Sequence, residues 1–114
     1  MHEMGIASSV LDAVRIEAAR FPGSKPSRVG LRVGEWSGVD TESLRFCFEA
    51  LVTGSNLDGL ALEIDFRERR NCCAKCGTEF VVKQYDVQCP NCRSGTTAVS
   101  SGAELDIVYV ELED

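Results

Sequence analysis

A chain of 114 residues has room for one ordinary domain, or for a small domain carrying a metal-stapled insert. Its 12 Lys and Arg against 18 Asp and Glu give a net charge of −6, the wrong sign for nucleic acid, and no apolar run reaches the ~18 residues of a membrane span. Met1 to Val10 has no basic start and no long apolar stretch, so a soluble, cytoplasmic protein of a reducing compartment is expected, and its six cysteines call for an explanation other than secretion.

The only histidine stands second, between Met1 and Glu3. A histidine there can offer one ion the terminal amine of Met1, the deprotonated amide of His2 and its imidazole Nδ1, closing two chelate rings. The amide nitrogen of Glu3 can complete a planar four-nitrogen set, with the Glu3 carboxylate nearby. Planar nitrogen ligation selects Ni(II) or Cu(II) over zinc. Taken alone the three residues decide nothing, because a histidine near a chain start is ordinarily frayed and solvated.

Gly5 to Phe21 predicts an amphipathic helix. Ile6, Val10, Leu11, Val14, Ala18 and Phe21 recur at three- and four-residue spacing, with Asp12, Arg15, Glu17 and Arg20 opposite. Phe21-Pro22-Gly23 ends it, and Gly23 to Ser27 reads as a loop. Arg28 to Glu35 alternates as a half-buried strand, with Val29, Leu31 and Val33 on one face. Trp36 falls in the turn that follows and is expected to pack. Asp40 is a good N-cap for a second helix, whose stripe is Leu44, Cys47, Phe48 and Leu51; Cys47 then serves as a small buried hydrophobe. Leu60, Leu62, Ile64 and Phe66 alternate as a second strand.

Arg67 onward departs from this pattern. Cys73-Ala74-Lys75-Cys76 and Cys89-Pro90-Asn91-Cys92 are two Cys-x-x-Cys pairs twelve residues apart. Each pair makes a tight turn that aims two sulfurs at one ion, and four soft thiolates in a tetrahedron suit zinc. Proline in the second pair and Gly77 after the first favour such turns. Iron in the same cage is an alternative, and Cys72 is the sulfur left over. Six basic residues lie between 67 and 93 against three acidic ones, while the rest of the chain carries six against fifteen. Four thiolates and one zinc add −2 to the cysteine region, leaving it near neutral. Phe80 to Val82 and Tyr85 belong to a small ribbon, Arg93 to Ser101 is a polar return, and Glu104 to Leu112 predicts a third strand.

The architecture expected is an α+β domain of two helices on a three-stranded sheet, with an inserted four-cysteine zinc ribbon. Residues 1–66 with 104–114 form the α+β domain, and 67–103 the zinc-binding part, whose ion supplies folding energy that its few apolar side chains cannot.

Met1-His2-Glu3, the turn Gly34-Glu35-x-Ser37-x-x-Asp40 and the two Cys-x-x-Cys pairs before a closing strand occur together in this order. The set resembles the HypA family, the nickel metallochaperones of [NiFe]-hydrogenase maturation, over the whole chain. The resemblance implies nickel on the Met1 amine, the His2 and Glu3 amides and the His2 imidazole, with Asp40 behind that imidazole. It also implies zinc on Cys73, Cys76, Cys89 and Cys92. Its implied partners are a nickel-handling GTPase and the hydrogenase large subunit, with urease a further client in some members. The Cys72-Cys73 doublet departs from the family pattern. The competing readings are a zinc-ribbon adaptor or nucleic-acid module without nickel chemistry. An enzyme is not expected, since no open metal position and no nucleophile–base pair stands in the sequence. A monomer or weak homodimer is expected.

Overall fold

The computed structural model describes residues 2–114, so the part of the nickel expectation that falls on Met1 lies outside the described residues. Helix α1 spans Glu3–Ala19 and α2 spans Thr41–Val52; the strands are β1 (Lys25–Gly34), β2 (Ala61–Arg67), β3 (Arg70–Cys73), β4 (Glu79–Val81), β5 (Thr97–Ser101) and β6 (Leu105–Glu113).

α1 begins and ends two residues earlier than its apolar spacing suggested. Glu3 can enter because an acidic side chain in the first turn suits the positive end of the helix. The helix stops at Arg20, whose N–H bonds Glu17 O, because Pro22 disfavours a helical conformation at Phe21. α2 is capped as expected: Asp40 Oδ1 accepts from the N–H groups of Glu42 (3.0 Å) and Ser43 (3.2 Å).

β1 is the centre of the first sheet, in the order β2-β1-β6. β2 runs parallel to it, as a strand returning through a helix must, and β6 is antiparallel. The expected loop at 23–27 is in part strand, because Lys25 and Pro26 pair with Glu113 and Leu112 at the far end of β6. Proline fits there because β2 joins β1 only from Arg28 onward, leaving that end of β1 with one neighbour.

Both helices lie on one face of this sheet. Val29, Leu31 and Val33 of β1 are buried with Ala7, Val10, Leu11 and Val14 of α1 and Leu44, Phe48 and Val52 of α2. Each of the larger side chains contributes about 1.5–3 kcal/mol by leaving water. Cys47 packs half-buried against this core, in keeping with its place on the apolar stripe.

The second sheet has the order β4-β3-β5 and is built from the cysteine region. It extends away from the first: the molecule measures 56 × 25 × 16 Å with a radius of gyration of 17.9 Å. A compact chain of this length would have a radius near ~13 Å, so the two sheets lie end to end and do not stack. Their junction is backbone against backbone. Gly34 N donates to Glu104 O, Trp36 N to Gly102 O and Glu35 N to Arg67 O. A Cβ on Gly34 would run into the Gly102 carbonyl, and one on Gly102 (φ +107°) into the Arg69 backbone, so glycine is required at both. Trp36 packs here, half-exposed, with its ring under the Arg69 guanidinium (4.0 Å) and 5.0 Å from the ring of Tyr85.

Candidate metal sites

The two Cys-x-x-Cys segments fold into the same turn twice. Cys73 O accepts from Gly77 N and Cys89 O from Arg93 N, both at 2.9 Å. The N–H groups of Cys73 and Cys89 in turn donate to Thr78 O and Ser94 O, again at 2.9 Å. The residue that closes each turn is left-handed: Gly77 at φ +76° and Arg93 at φ +66°.

These turns bring the Sγ atoms of Cys73, Cys76, Cys89 and Cys92 within 4.8 Å of one another. Cys73 and Cys92 are 3.5 Å apart, Cys76 and Cys89 3.6 Å. A zinc ion with ~2.3 Å bonds to four tetrahedral sulfurs needs S–S separations of about 3.8 Å, so the spacing suits that ion. Cys72 stays outside this group, its Sγ 3.7 Å from Gly77 O.

The electrostatics of the cluster point the same way. Backbone N–H groups of Cys76 and Lys75 hold the Cys73 thiol below its ordinary value. The Thr78 hydroxyl, 3.1 Å from Cys76 Sγ, and the Thr78 N–H bring the Cys76 thiol down to about 6, with help from Asn91. Cys92 also has a favourable N–H, from Ser94, yet the neighbouring sulfurs and burial push it up to about 11. With protons alone the four sulfurs cannot all be thiolates at once; a divalent cation removes that conflict. Such an ion would be held by these four side chains and would cross-link two turns that few apolar contacts join.

Three contributors were missed in the sequence. Thr78, two residues after the first pair, and Asn91, inside the second, serve the Cys76 sulfur, and a polar residue in or beside each turn was the available signal. Asn71 is buried, its side chain accepting from Arg69 Nε and donating to Thr97 Oγ1, both at 3.0 Å, and Thr97 Oγ1 donates to Val87 O at 2.6 Å. Nothing in the local sequence marked Asn71 as the polar centre of the ribbon.

Beside Leu105 and Asp106 at the start of β6, His2 is exposed and is the N-cap of α1, with an extended backbone (φ −102°, ψ 129°) and no side-chain capping bond. Its carbonyl already accepts from Ile6 N at 3.1 Å. The amide nitrogen of Glu3 opens the helix, where N–H groups have no intrahelical acceptor. The Glu3 carboxylate reaches the start of α2, where its Oε2 accepts from Asp40 N at 3.3 Å. Asp40 therefore meets this segment through its backbone, while its carboxylate caps α2.

An α+β body with an inserted four-thiolate ribbon, and a single exposed histidine at the start of its first helix, defines a small metal-handling protein. The family model described as hydrogenase/urease nickel incorporation, metallochaperone, HypA matches residues 1–112. A hydrogenase maturation factor HypA of Prosthecochloris aestuarii (strain DSM 271 / SK 413) is 40% identical over 113 residues, covering 99% of this chain and 100% of that one. That of Geobacter sp. (strain M21) is 38% identical, with the same coverage. The solution structure of the Ni metallochaperone HypA from Helicobacter pylori superposes with a TM-score of 0.66 at 24% identity, over 99% of this chain and 98% of that one. A second HypA solution structure superposes with a TM-score of 0.71 at 24% identity, over 98% and 96%. Those two likenesses bear on the fold. The chain belongs to the HypA family, the nickel metallochaperones of hydrogenase maturation.

Proposed function

We propose that the chain carries one Ni(II) ion on its first three residues. The ligands are the Met1 amine, the backbone amide nitrogens of His2 and Glu3 and the His2 imidazole. The observation that carries this reading is His2 itself: the only histidine, exposed, at a helix start where its side chain makes no capping bond. Metal binding at these amides breaks no helix hydrogen bond, since the first N–H groups of α1 have no intrahelical acceptor. Glu3, held by Asp40 N, fixes the direction in which the segment leaves the body. Asp40 thus steadies the nickel site from behind.

Zinc is held by Cys73, Cys76, Cys89 and Cys92 and shapes the ribbon. Residues 1–66 with 104–114 serve nickel, and 67–103 serve zinc. The nickel comes from or passes through a GTP-hydrolysing maturation partner and goes to the hydrogenase large subunit, in the cytoplasm, with the chain acting as a monomer or weak homodimer. It catalyses no covalent step. Release proceeds by ligand exchange, because an exposed chelate at a chain start has no cage to open. Copper outranks nickel on such a nitrogen set, so selectivity resides in metal supply and in docking of the recipient.

The test is a nickel titration of three zinc-loaded proteins: the chain starting at Met1, the same chain with residues added ahead of Met1, and His2→Ala. Only the first should give the absorption of planar low-spin nickel, and all three should hold equal zinc. Equal nickel spectra from all three would overturn the site. Binding should also weaken on acidification, because every ligand nitrogen then competes with protons.

A further inference from the structure

The two cysteine turns repeat one another in backbone, but not in what surrounds their outer sulfurs. Cys73 and Cys89 are buried, while Cys76 and Cys92, the second cysteine of each pair, are exposed. Thr78 stands two residues after Cys76 and Ser94 two after Cys92, and the carbonyl of each accepts the N–H of the first cysteine of its pair. Their hydroxyls part company. Thr78 Oγ1 lies 3.1 Å from Cys76 Sγ, whereas Ser94 Oγ accepts from Thr96 N at 3.1 Å. The residue before the outer cysteine differs as well. Asn91 reaches across to the other turn, with Nδ2 3.6 Å from Cys76 Sγ and 3.4 Å from Thr78 Oγ1. An N–H donated to Thr78 Oγ1 turns the hydroxyl hydrogen toward the sulfur. Its counterpart in the first pair is Lys75, which is exposed. Cys76 thus has a hydroxyl, a side-chain amide and the Thr78 N–H around it. Cys92 has the Ser94 N–H, and among the described residues no hydroxyl or amide side chain bonds its sulfur.

We propose that Cys92 is a modification site, the sulfur at which a hydroperoxide oxidises the ribbon and opens its zinc cage. With zinc bound, both exposed sulfurs are already thiolates, so hydrogen-bond donors no longer decide how much thiolate there is. They draw electron density from the sulfur and slow its attack on an electrophile. Thr78 and Asn91 are therefore positioning residues that quiet Cys76 and leave Cys92 as the exposed nucleophile. The Cys92 thiolate attacks one peroxide oxygen: an S–O bond forms, the O–O bond breaks, and the departing oxygen takes a proton. The sulfur gives two electrons to the peroxide and becomes a sulfenic acid. Cys73 Sγ, 3.5 Å away, then attacks that sulfur as a thiolate. An S–S bond forms, and the sulfenic oxygen leaves as hydroxide and takes a proton to become water. Two of the four sulfurs are then lost to the ion. The inference rests on the reading that zinc is held by Cys73, Cys76, Cys89 and Cys92.

The test treats the zinc-loaded full chain with a substoichiometric amount of hydrogen peroxide, followed by alkylation, trypsin and mass spectrometry. Cleavage after Arg70, Lys75, Lys83 and Arg93 places Cys73, Cys76 and Cys92 on different peptides. The first product should join 71–75 to 84–93 through Cys73 and Cys92, about fivefold or more ahead of oxidation in 76–83. Zinc should reach a chromophoric indicator in step with it. Thr78→Val should raise oxidation of Cys76 by about fivefold or more, and Thr78→Ser, which keeps the hydroxyl, should not. A first product without Cys92 overturns the site, and a Thr78→Val chain in which Cys76 reacts no faster overturns the part given to Thr78. A chain that holds no zinc before peroxide is added overturns the zinc reading itself, and this inference with it.

Discussion

Arg93 shows what a single residue reveals about the zinc ribbon. It occupies in the second knuckle the left-handed position that Gly77 fills in the first, and its own N–H still closes the turn onto Cys89 O. A side chain in that conformation costs roughly 1 kcal/mol that glycine does not. Arg93→Gly should therefore make zinc harder to withdraw, by about fivefold in competition with a chromophoric chelator, and Gly77→Ala easier by a similar factor. A loss of zinc affinity in Arg93→Gly would show that the Arg93 side chain contributes more than its backbone costs. At this scale the sequence was legible where chemistry is local: the Cys-x-x-Cys pairs and the Asp40 cap both depend on atoms a few residues apart. Cys72 and Cys73 were distinguishable by spacing, and the structure places Cys73 with the other three sulfurs. Asn71 and the partners of Trp36 were illegible, because each is defined by contacts from remote segments.

Among the elements, β6 and the loop that enters it do the joining. Glu104 receives Gly34 N on its carbonyl and, through Oε1, Gly102 N at 2.6 Å. Its own N–H and that of Gly102 hold its carboxyl below the ordinary 4.5, with Arg67 adding to the effect. A depressed carboxyl contributes stability that is present in full above the unfolded value and disappears as pH falls through the lower folded value. Glu104→Gln should then lower the urea midpoint at neutral pH, and the gap from the unaltered chain should close as pH falls below about 4.5. A gap that stays constant down to pH 3 would assign the loss to shape and not to charge. The helices were readable from their apolar stripes. The extra strand residues Lys25 to Ser27 were not, since they look like a loop until the end of β6 lies beside them.

The whole molecule is two sheets end to end, and the only tryptophan adds its side chain to the backbone contact between them. Arg69 lies over the Trp36 ring and also donates to the buried Asn71, while Tyr85 meets the same indole from a ribbon loop. Gln84 and Tyr85 both sit at positive φ, at 53° and 63°, a conformation that persists when the surrounding structure holds it. Because zinc organises that surrounding structure, its removal by a strong chelator should release Tyr85 and Arg69 and shift Trp36 emission to longer wavelength. Tyr85→Ala in the zinc-loaded protein should reproduce part of the shift. Unchanged emission on chelation would mean that the junction stands without the metal.

By itself the sequence determined the two cysteine turns and which faces are apolar. Knuckle turns and helical stripes are properties of neighbours along the chain. The tertiary structure decided the rest: the closing of the four-sulfur cluster, the glycine contact between Gly34 and Gly102 and the relay from Trp36 to Asn71. Each of these joins segments that are distant in sequence, and the backbone has to be folded before they meet.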